Sequence, residues 1–581
     1  MSEKAKGPDA AQPGIFSLLT PYRGLIVLLL LCALLSNGIN LWLPKIIADG
    51  IDAYTHQRFD LHAILIKFSI AVVLVFVFGY IQSIIQVYAS EKVARDLRMR
   101  LSDKISRQSH AFVEKSNPSR LLTYLTADSD SVKLFVSQAF VSMVSSVFII
   151  VGASILLLSI NWKLGLAVIA IIPIIGGAFF LTLRKVRALF VQSREVIDWL
   201  NKIINESILG AALIRVVNSQ QLEYAKFLEA NTKAKSFGLA ILSLFAGLIP
   251  IVTFVANLSM LTILVLGGHF VIEGTMTLGS FAAFNSYLSL LIFPILIIGF
   301  MSNVIAQSTA SFQRISAVLN VPDPVINPGQ KTELKGNIDL QNVWVRYGEK
   351  PALKDVSMSI KAGAKTAIIG PTAAGKTQLL YLLTGLTTPQ EGTLEFDSKP
   401  IDFYDSESFH SQVGFVFQDS IVFNMSIREN IAFSSKVTDE LLQKAIETAE
   451  LNAFIENLPD KLDTIVSERG SSLSGGQKQR IMLARALAIN PKILLLDDFT
   501  ARVDSNTEKS ILANVERNYP GITLISVTQK ISAIEHYDQI IVLMEGEVIG
   551  SGTHHELMET SPEYVQIFNS QQSTSNYELR S

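Results

Sequence analysis

The chain changes character near position 305. Before that point apolar residues come in long blocks, and six blocks reach the ~20 residues that a bilayer crossing needs: roughly 24–43, 68–87, 140–159, 164–183, 241–266 and 278–300. The links between them alternate. The first, third and fifth are short, whereas the second (88–139) and fourth (184–240) are long and rich in Lys and Arg, among them Arg95, Arg98, Lys104, Arg187, Arg194 and Arg215. By the positive-inside rule both long links and both termini face the cytoplasm. The long links also read as helical, so the spanning helices are expected to continue well beyond the membrane. Pro173, Pro250 and Pro294 fall inside spans and are either kinks or tolerated prolines. Residues 1–14 are small and polar and are expected to be a disordered tail. Ile15–Tyr22 is short and amphipathic and suits a membrane surface. A signal peptide fits poorly, because the apolar run from Leu25 continues to Leu43 with no small-residue cleavage site.

After a Pro-rich boundary within 311–337, short runs and turns replace the long blocks. Residues 338–345 alternate as a strand does, and Thr366–Ile369 and Ile493–Leu496 are continuous apolar runs, the pattern of strands buried on both faces. Residues 424–460 read as mostly helical. Residues 540–544 and 547–549 read as a hairpin around Glu545-Gly546. Thr553-His554-His555-Glu556 looks metal-binding at first sight but fits a helix capping box better. The stretch 571–581 is polar and is expected to be disordered. The predicted architecture is a membrane domain of six helices with long cytoplasmic extensions (15–310), a linker (311–337) and an α/β domain (338–570).

Composition sharpens this picture only in places. The chain has 581 residues, more than one domain's usual share, and is 49% hydrophobic but only 17% charged, which favours a membrane class over the ~25% charged average. A net charge of −2 gives no case for nucleic acid. The single cysteine, Cys32, excludes an intramolecular disulfide.

The candidate chemistry lies in the second half. Gly370-Pro371-Thr372-Ala373-Ala374-Gly375-Lys376-Thr377 has the spacing G-x-x-x-x-G-K-[ST], between an apolar strand and an apolar helix. Such a loop cradles phosphates with backbone N–H groups; Lys376 would reach the β- and γ-phosphates and Thr377 would hold Mg²⁺. Downstream, Asp497-Asp498 ends the run 493–496, placing carboxylates at the rim where parallel sheets bind ligands. Leu473-Ser474-Gly475-Gly476-Gln477 opens a helix. A Ser hydroxyl and Gly N–H groups at a helix start can clasp a phosphate.

A phosphate loop together with LSGGQ resembles the ATP-binding cassette (ABC) transporter family, over about 15–570. The resemblance implies two cassettes closing face to face on two ATP molecules, each ATP held between one phosphate loop and the other chain's signature motif. It implies an adenine-stacking role for Tyr347, although a strand-end tyrosine taken alone is more often a packing residue. It implies that Gln418 touches Mg²⁺ and senses the membrane domain, where the plain alternative is a polar strand cap. It makes Asp497 the Mg²⁺ ligand, and it places short coupling helices in the long links, expected near Thr126–Ser131 and Leu209–Arg215.

Three positions depart from the family. The residue after the Mg²⁺ aspartate is usually a glutamate acting on the attacking water; here it is Asp498, one methylene shorter, and displacements near 1 Å can cost ~10²-fold in rate. The switch position, usually histidine, is Gln529, which cannot carry a proton. The D-loop reads Ala501-Arg502-Val503-Asp504, keeping Asp504. The first two strike the site on this chain's own phosphate loop, while Ser474–Gln477, which would serve the partner's ATP, is intact. That asymmetry resembles the degenerate-site subunit of heterodimeric exporters. The expected protein is a half-transporter in a bacterial inner membrane. It moves amphipathic, drug-like or lipid compounds outward, using ATP and Mg²⁺, with a different half-transporter as its partner. The alternatives are a homodimer with slow aspartate sites, a regulatory subunit that gates its partner, and an ATP-gated channel, which nothing in the spans supports.

Overall fold

The computed structural model describes residues 14–324, 329–347, 350–467, 470 and 472–578. The N-terminal tail as far as residue 13 and part of the Pro-rich boundary lie outside that description. The chain divides into two compact units: Met1–Arg107 with Ser116–Asp323, and Gln108–Lys115 with Pro324–Ser581.

Among the described residues, six helices of the first unit are long and apolar enough to cross a membrane: Ile15–Thr55, Leu61–Arg107, Pro118–Ile160, Trp162–Leu209, Gln220–Ile272 and Leu278–Leu319. Each contains one of the apolar blocks. The second, of 47 residues, is about 70 Å long at 1.5 Å per residue, more than twice a hydrocarbon core. The apolar segment alone therefore accounts for less than half of it. Ile15–Tyr22 is a 3₁₀ turn leading into the first long helix; it buries Ile15 and Leu19, and Tyr22 Oη donates to Asp96 Oδ2 (2.7 Å). Outward faces stay apolar, with Val73, Phe76, Tyr80 and Ile84 exposed, as a lipid-facing helix requires. The inner core gathers Leu157, Leu164, Ile171, Ile175, Phe284 and Leu291. In this core Tyr287 Oη donates to Leu41 O (3.0 Å), satisfying a hydroxyl that would be costly unpaired. At Gly279 a Cβ would lie 2.0 Å from Ala48 O, so only glycine lets these two helices approach. Pro173 follows a break at Ala170, between the helical pieces Trp162–Ile169 and Ile171–Leu209. Its missing N–H would have met the carbonyl of Ile169, four residues back, where the first piece already ends. Pro250 and Pro294 sit inside continuous helices.

Among its described residues the second unit is built on two sheets. An antiparallel one has the order β2-β1-β4-β5, from β1 (Ile338–Tyr347), β2 (Lys350–Ile360), β4 (Glu391–Phe396) and β5 (Lys399–Pro400). A six-stranded one has the order β10-β9-β3-β8-β7-β6, from β3 (Lys365–Ile369), β6 (Val413–Val416), β7 (Ile493–Asp497), β8 (Thr523–Val527), β9 (Gln539–Met544) and β10 (Glu547–Gly552). Its strands from β9 to β6 are parallel and β10 is an antiparallel edge. Two cores sandwich this sheet: Leu494 and Leu496 enter one, Ile493 and Leu495 the other. Successive strand residues face opposite sides, so burial on both faces demands the unbroken apolar run seen in the sequence. Thr553 makes the expected capping box with Glu556. Helix Pro562–Glu578 carries on through most of the stretch from 571 that was expected to be disordered.

Candidate functional site

The parallel order puts four loops at the C-terminal ends of β3, β6, β7 and β8 along one edge, where open α/β sheets bind their ligands. After β3 the chain turns through Gly370 (φ +154°), Ala373 (φ +66°) and Gly375 (φ +100°). A Cβ on Gly370 would meet Leu543 O at 2.0 Å, and one on Gly375 would meet Ala352 O at 2.6 Å. Both glycines are therefore required by close backbone approach as well as by φ. Helix Lys376–Leu383 starts directly after the loop, aiming its free N–H groups at the same space.

A cavity of about 610 Å³ opens here, lined by Thr372, Ala373, Ala374, Gly375, Lys376, Thr377, Gln418, Asp497, Asp498 and Gln529, with Lys350, Pro351 and Ala352 from the start of β2. Residues separated by some 150 positions thus face one space. Lys376 Nζ donates to the loop's own carbonyls, Gly370 O (2.8 Å) and Pro371 O (2.7 Å). Burial pushes its amine below the ordinary lysine range, against the pull of Asp498 and Asp497. Asp497 is 2% exposed and hydrogen-bonded by Thr377. Burial raises its carboxyl above the ordinary range, opposed by Thr377 and Lys376 and reinforced by Asp498. Asp497 Oδ2 is buried with no partner among the described residues. A buried, unpaired carboxylate oxygen beside a threonine hydroxyl is a donor set that a hard divalent cation satisfies, so the residues present fit one. Asp498 adopts φ +47° and its N–H donates to Val527 O (3.0 Å), tying the end of β7 to the end of β8.

Other sequence-predicted residues lie elsewhere. Tyr347 closes β1 opposite Lys350; its side chain lies outside the described residues. None of Ser474, Gly475, Gly476 or Gln477 lines the cavity. They begin the helix Gly475–Ala488, where Ser474 Oγ accepts from Gln477 N (3.3 Å) and Gln477 Oε1 from Ser474 N (2.8 Å). Arg502 lies against both glycines: a Cβ on Gly476 would be 2.8 Å from Arg502 O, a backbone atom that leaves no room for it, while one on Gly475 would be 3.1 Å from the flexible Arg502 Cδ. Asp504 caps the helix Ser505–Asn518, accepting from Thr507 N (2.9 Å), which holds its carboxyl below the ordinary range.

One expectation is corrected. Thr126–Ser131 is no separate transverse helix. It runs through a π-helical turn, Tyr124–Asp128, inside the long third helix. The widened turn delivers Asp128 into the membrane unit, where Arg314 Nε and Nη2 (2.9 and 2.5 Å) and Ser311 Oγ (2.8 Å) donate to its two oxygens. The segment that groups with the cassette is 108–115, which contains most of the short helix His110–Ser116. There the His110 ring meets Tyr381 edge-on at 5.4 Å. Near the second expected position a short helix does stand, Ala211–Val216, with Leu213 65% and Val216 84% exposed. Sequence reasoning also missed Gln479. Only 1% exposed, it donates through Nε2 to Gln418 O (3.3 Å), joining the loop after β6 to the signature helix. Nothing local in the sequence marks a contact across 61 positions.

A six-helix membrane unit joined to a phosphate-loop cassette defines a multi-pass membrane transporter driven by ATP. Residues 25–295 match the ABC transporter transmembrane region and 353–501 match the ABC transporter domain. The chain is 31% identical to the probable multidrug resistance ABC transporter ATP-binding/permease protein YheI of Bacillus subtilis (strain 168), over 95% of each chain. It is 27% identical to the ATP-dependent lipid A-core flippase of Syntrophus aciditrophicus (strain SB), over 95% of this chain and 93% of the flippase. A solved bacterial Atm1-family ABC exporter with ATP bound shares the fold, with a TM-score of 0.77 at 24% identity, covering 94% of this chain and 98% of that one. The chain belongs to the ABC transporter family. It is an exporter-type half-transporter, and its ATPase is coupled to transport.

Proposed function

We propose that this chain is the degenerate-site half of a heterodimeric exporter. Its own site holds ATP and turns it over slowly, and its signature motif serves a faster site on a different partner chain. One observation carries the reading. Asp498 and Gln529 line the cavity beside Lys376 and Thr377, at the positions where the family's glutamate and histidine would act on water and γ-phosphate, while Ser474–Gln477 keeps its form. Asp498 retains a carboxylate, but one methylene short of the water that glutamate would position. Gln529 can donate a hydrogen bond to phosphate yet cannot move a proton.

Within this site the phosphate-loop N–H groups and Lys376 bind the β- and γ-phosphates. Tyr347, at the end of β1, serves the adenine. Thr377, Gln418 and Asp497 would hold Mg²⁺, whose charge would offset that of the phosphate oxygens. Because the signature residues stand outside this chain's cavity, a complete site needs a second cassette. The membrane would be a bacterial inner membrane, with cassette and termini on the cytoplasmic side, in line with the basic long links. The substrate would be amphipathic, drug-like or lipid, in keeping with the names of the multidrug and lipid A-core relatives and with spans whose centres hold mild polar groups such as Asn37, Asn40 and Asn257.

The purified chain alone should bind Mg·ATP and hydrolyse it far below the rate of the assembled pair. Turnover of the isolated protein at the pair's rate would overturn the degenerate-site assignment and favour the homodimer with working aspartate sites.

A further inference from the structure

The helix Pro562–Glu578 is fastened at its start. Tyr564 is 0% exposed and its hydroxyl meets His554 Nδ1 at 2.6 Å, while Ile567 and Phe568 pack against the larger cassette core. Gln571 lies seven residues, two turns, beyond Tyr564, on the same face. Its side-chain amide reaches the switch loop: Nε2 donates to Gln529 O, and Oε1 accepts from Ile531 N (3.0 Å). One amide thereby grips two main-chain groups two residues apart, using both its donor and its acceptor.

Packing does not hold Gln529 in place. Its side chain is exposed and lines the phosphate cavity. It also lines a second cavity, of about 370 Å³, between the C-terminal helix (Glu563, Gln566, Gln571) and the start of the phosphate loop (Gly370, Pro371). The loop's flanks are packed, Thr528 being 2% and Ile531 1% exposed, the latter in the larger core; the exposed Gln529 and Lys530 between them take their position from hydrogen bonds. Within the loop Lys530 N donates to Thr528 Oγ1 (3.1 Å), and Thr528 N to Ile368 O (3.3 Å); these fix the loop's root, and the Gln571 amide fixes its tip.

We infer that Gln571 is a positioning residue for Gln529. From the C-terminal helix it sets how closely the switch glutamine approaches the γ-phosphate, and so sets this site's preference for ATP over ADP. The inference rests on the proposed placement of Gln529 at the γ-phosphate. ADP lacks that phosphate, so a positioning role affects ATP alone, whereas a merely structural role affects both nucleotides.

The test uses the purified full chain with Mg²⁺ and measures ATP and ADP affinities by displacement of a fluorescent ATP analogue. Gln571→Ala should weaken ATP binding roughly five-fold, the worth of about one hydrogen bond, with ADP affinity unchanged. Gln571→Glu should do the same: it keeps the size and can accept from Ile531 N, but it cannot donate to Gln529 O. Gln529→Ala should reproduce the loss, and the double variant should be no worse than Gln529→Ala alone, since both act through one contact. If Gln529→Ala shifts the preference while both Gln571 variants leave it unchanged, or lower both affinities alike, the inference is overturned and the proposed function stands. If Gln529→Ala itself leaves the preference unchanged, the γ-phosphate placement fails and takes the inference with it.

Discussion

Asp497 shows how function and stability oppose each other at a single residue. Its carboxylate is buried, one oxygen has no partner among the described residues, and burial holds its pKa above the ordinary carboxylate value. A raised folded-state pKa means that the folded protein keeps the proton longer than the unfolded chain. The stabilisation is therefore full below the ordinary carboxylate pKa and is lost as pH rises through the elevated folded value. At neutral pH the ionised group is a net cost, which a bound cation would offset. Asp497→Asn keeps the shape and removes the charge. The nucleotide-free protein should therefore melt a few degrees higher at pH 7, where each ~1 kcal/mol is about 2–4 °C for a domain of this size. The advantage should shrink as pH falls through the elevated value, and Mg²⁺ should no longer strengthen ATP binding. A thermal melt across pH, with and without Mg·ATP, checks both parts. An unchanged Mg²⁺ effect would remove Asp497 from the proposed metal site.

At the scale of elements, two helices make separable demands. The signature helix starts at a capping box and two glycines closed over by Arg502, so its end can approach a phosphate only if nothing larger stands there. Ser474→Arg in the assembled pair should abolish most ATPase activity, since donors aimed at developing charge are worth ~10²–10³ in rate. On the proposed assignment Asp498→Asn should cost less, because that assignment makes its own site the slower one. Steady-state rates of the two mutant pairs decide, and the reverse order would mean that the fast site has been assigned to the wrong chain. The third membrane helix makes a different demand. Its π turn presents Asp128, whose side chain is 6% exposed, to Arg314. Arg314→Ala would leave that charge without its bidentate partner, and the protein in detergent should lose roughly 2–3 kcal/mol. Arg314→Lys should recover only part, because lysine lacks the fork. A thermal-inactivation series on the three proteins reads this out.

For the whole molecule, six helices far longer than a bilayer is thick carry apolar outer faces and few ionisable groups at their centres. A strongly charged substrate would need a partner charge at membrane depth, where an uncompensated one costs several kcal/mol. Vesicles containing the assembled pair should accumulate lipophilic dyes on addition of ATP and ignore small inorganic anions. Strict selectivity for such an anion would refute the amphipathic reading.

The sequence alone determined whatever depends on neighbours along the chain. Hydrophobic blocks marked the six membrane crossings, because transfer into lipid is a local property of ~20 consecutive residues. Unbroken apolar runs marked strands buried on both faces, and the spacing of Gly370, Gly375 and Lys376 marked a phosphate loop, because backbone geometry at a turn is also local. Only the tertiary structure decided what depends on distant partners. Asp128 lies in a long link that reads from sequence only as basic and helical, yet it is buried against Arg314, 186 positions away. The segment that joins the cassette is 108–115, not 126–131, because the helical pattern runs on through the widened turn and nothing local says where the chain leaves one unit for the other. The polar stretch after 570 lacks an apolar stripe and reads as a tail, yet the helix begun at Pro562 extends through it to Glu578, and Gln571 from that stretch meets a loop some forty residues earlier. Hydrogen bonds between such distant groups leave no period in the sequence, since they select the polar atoms that meet and not the pattern around them.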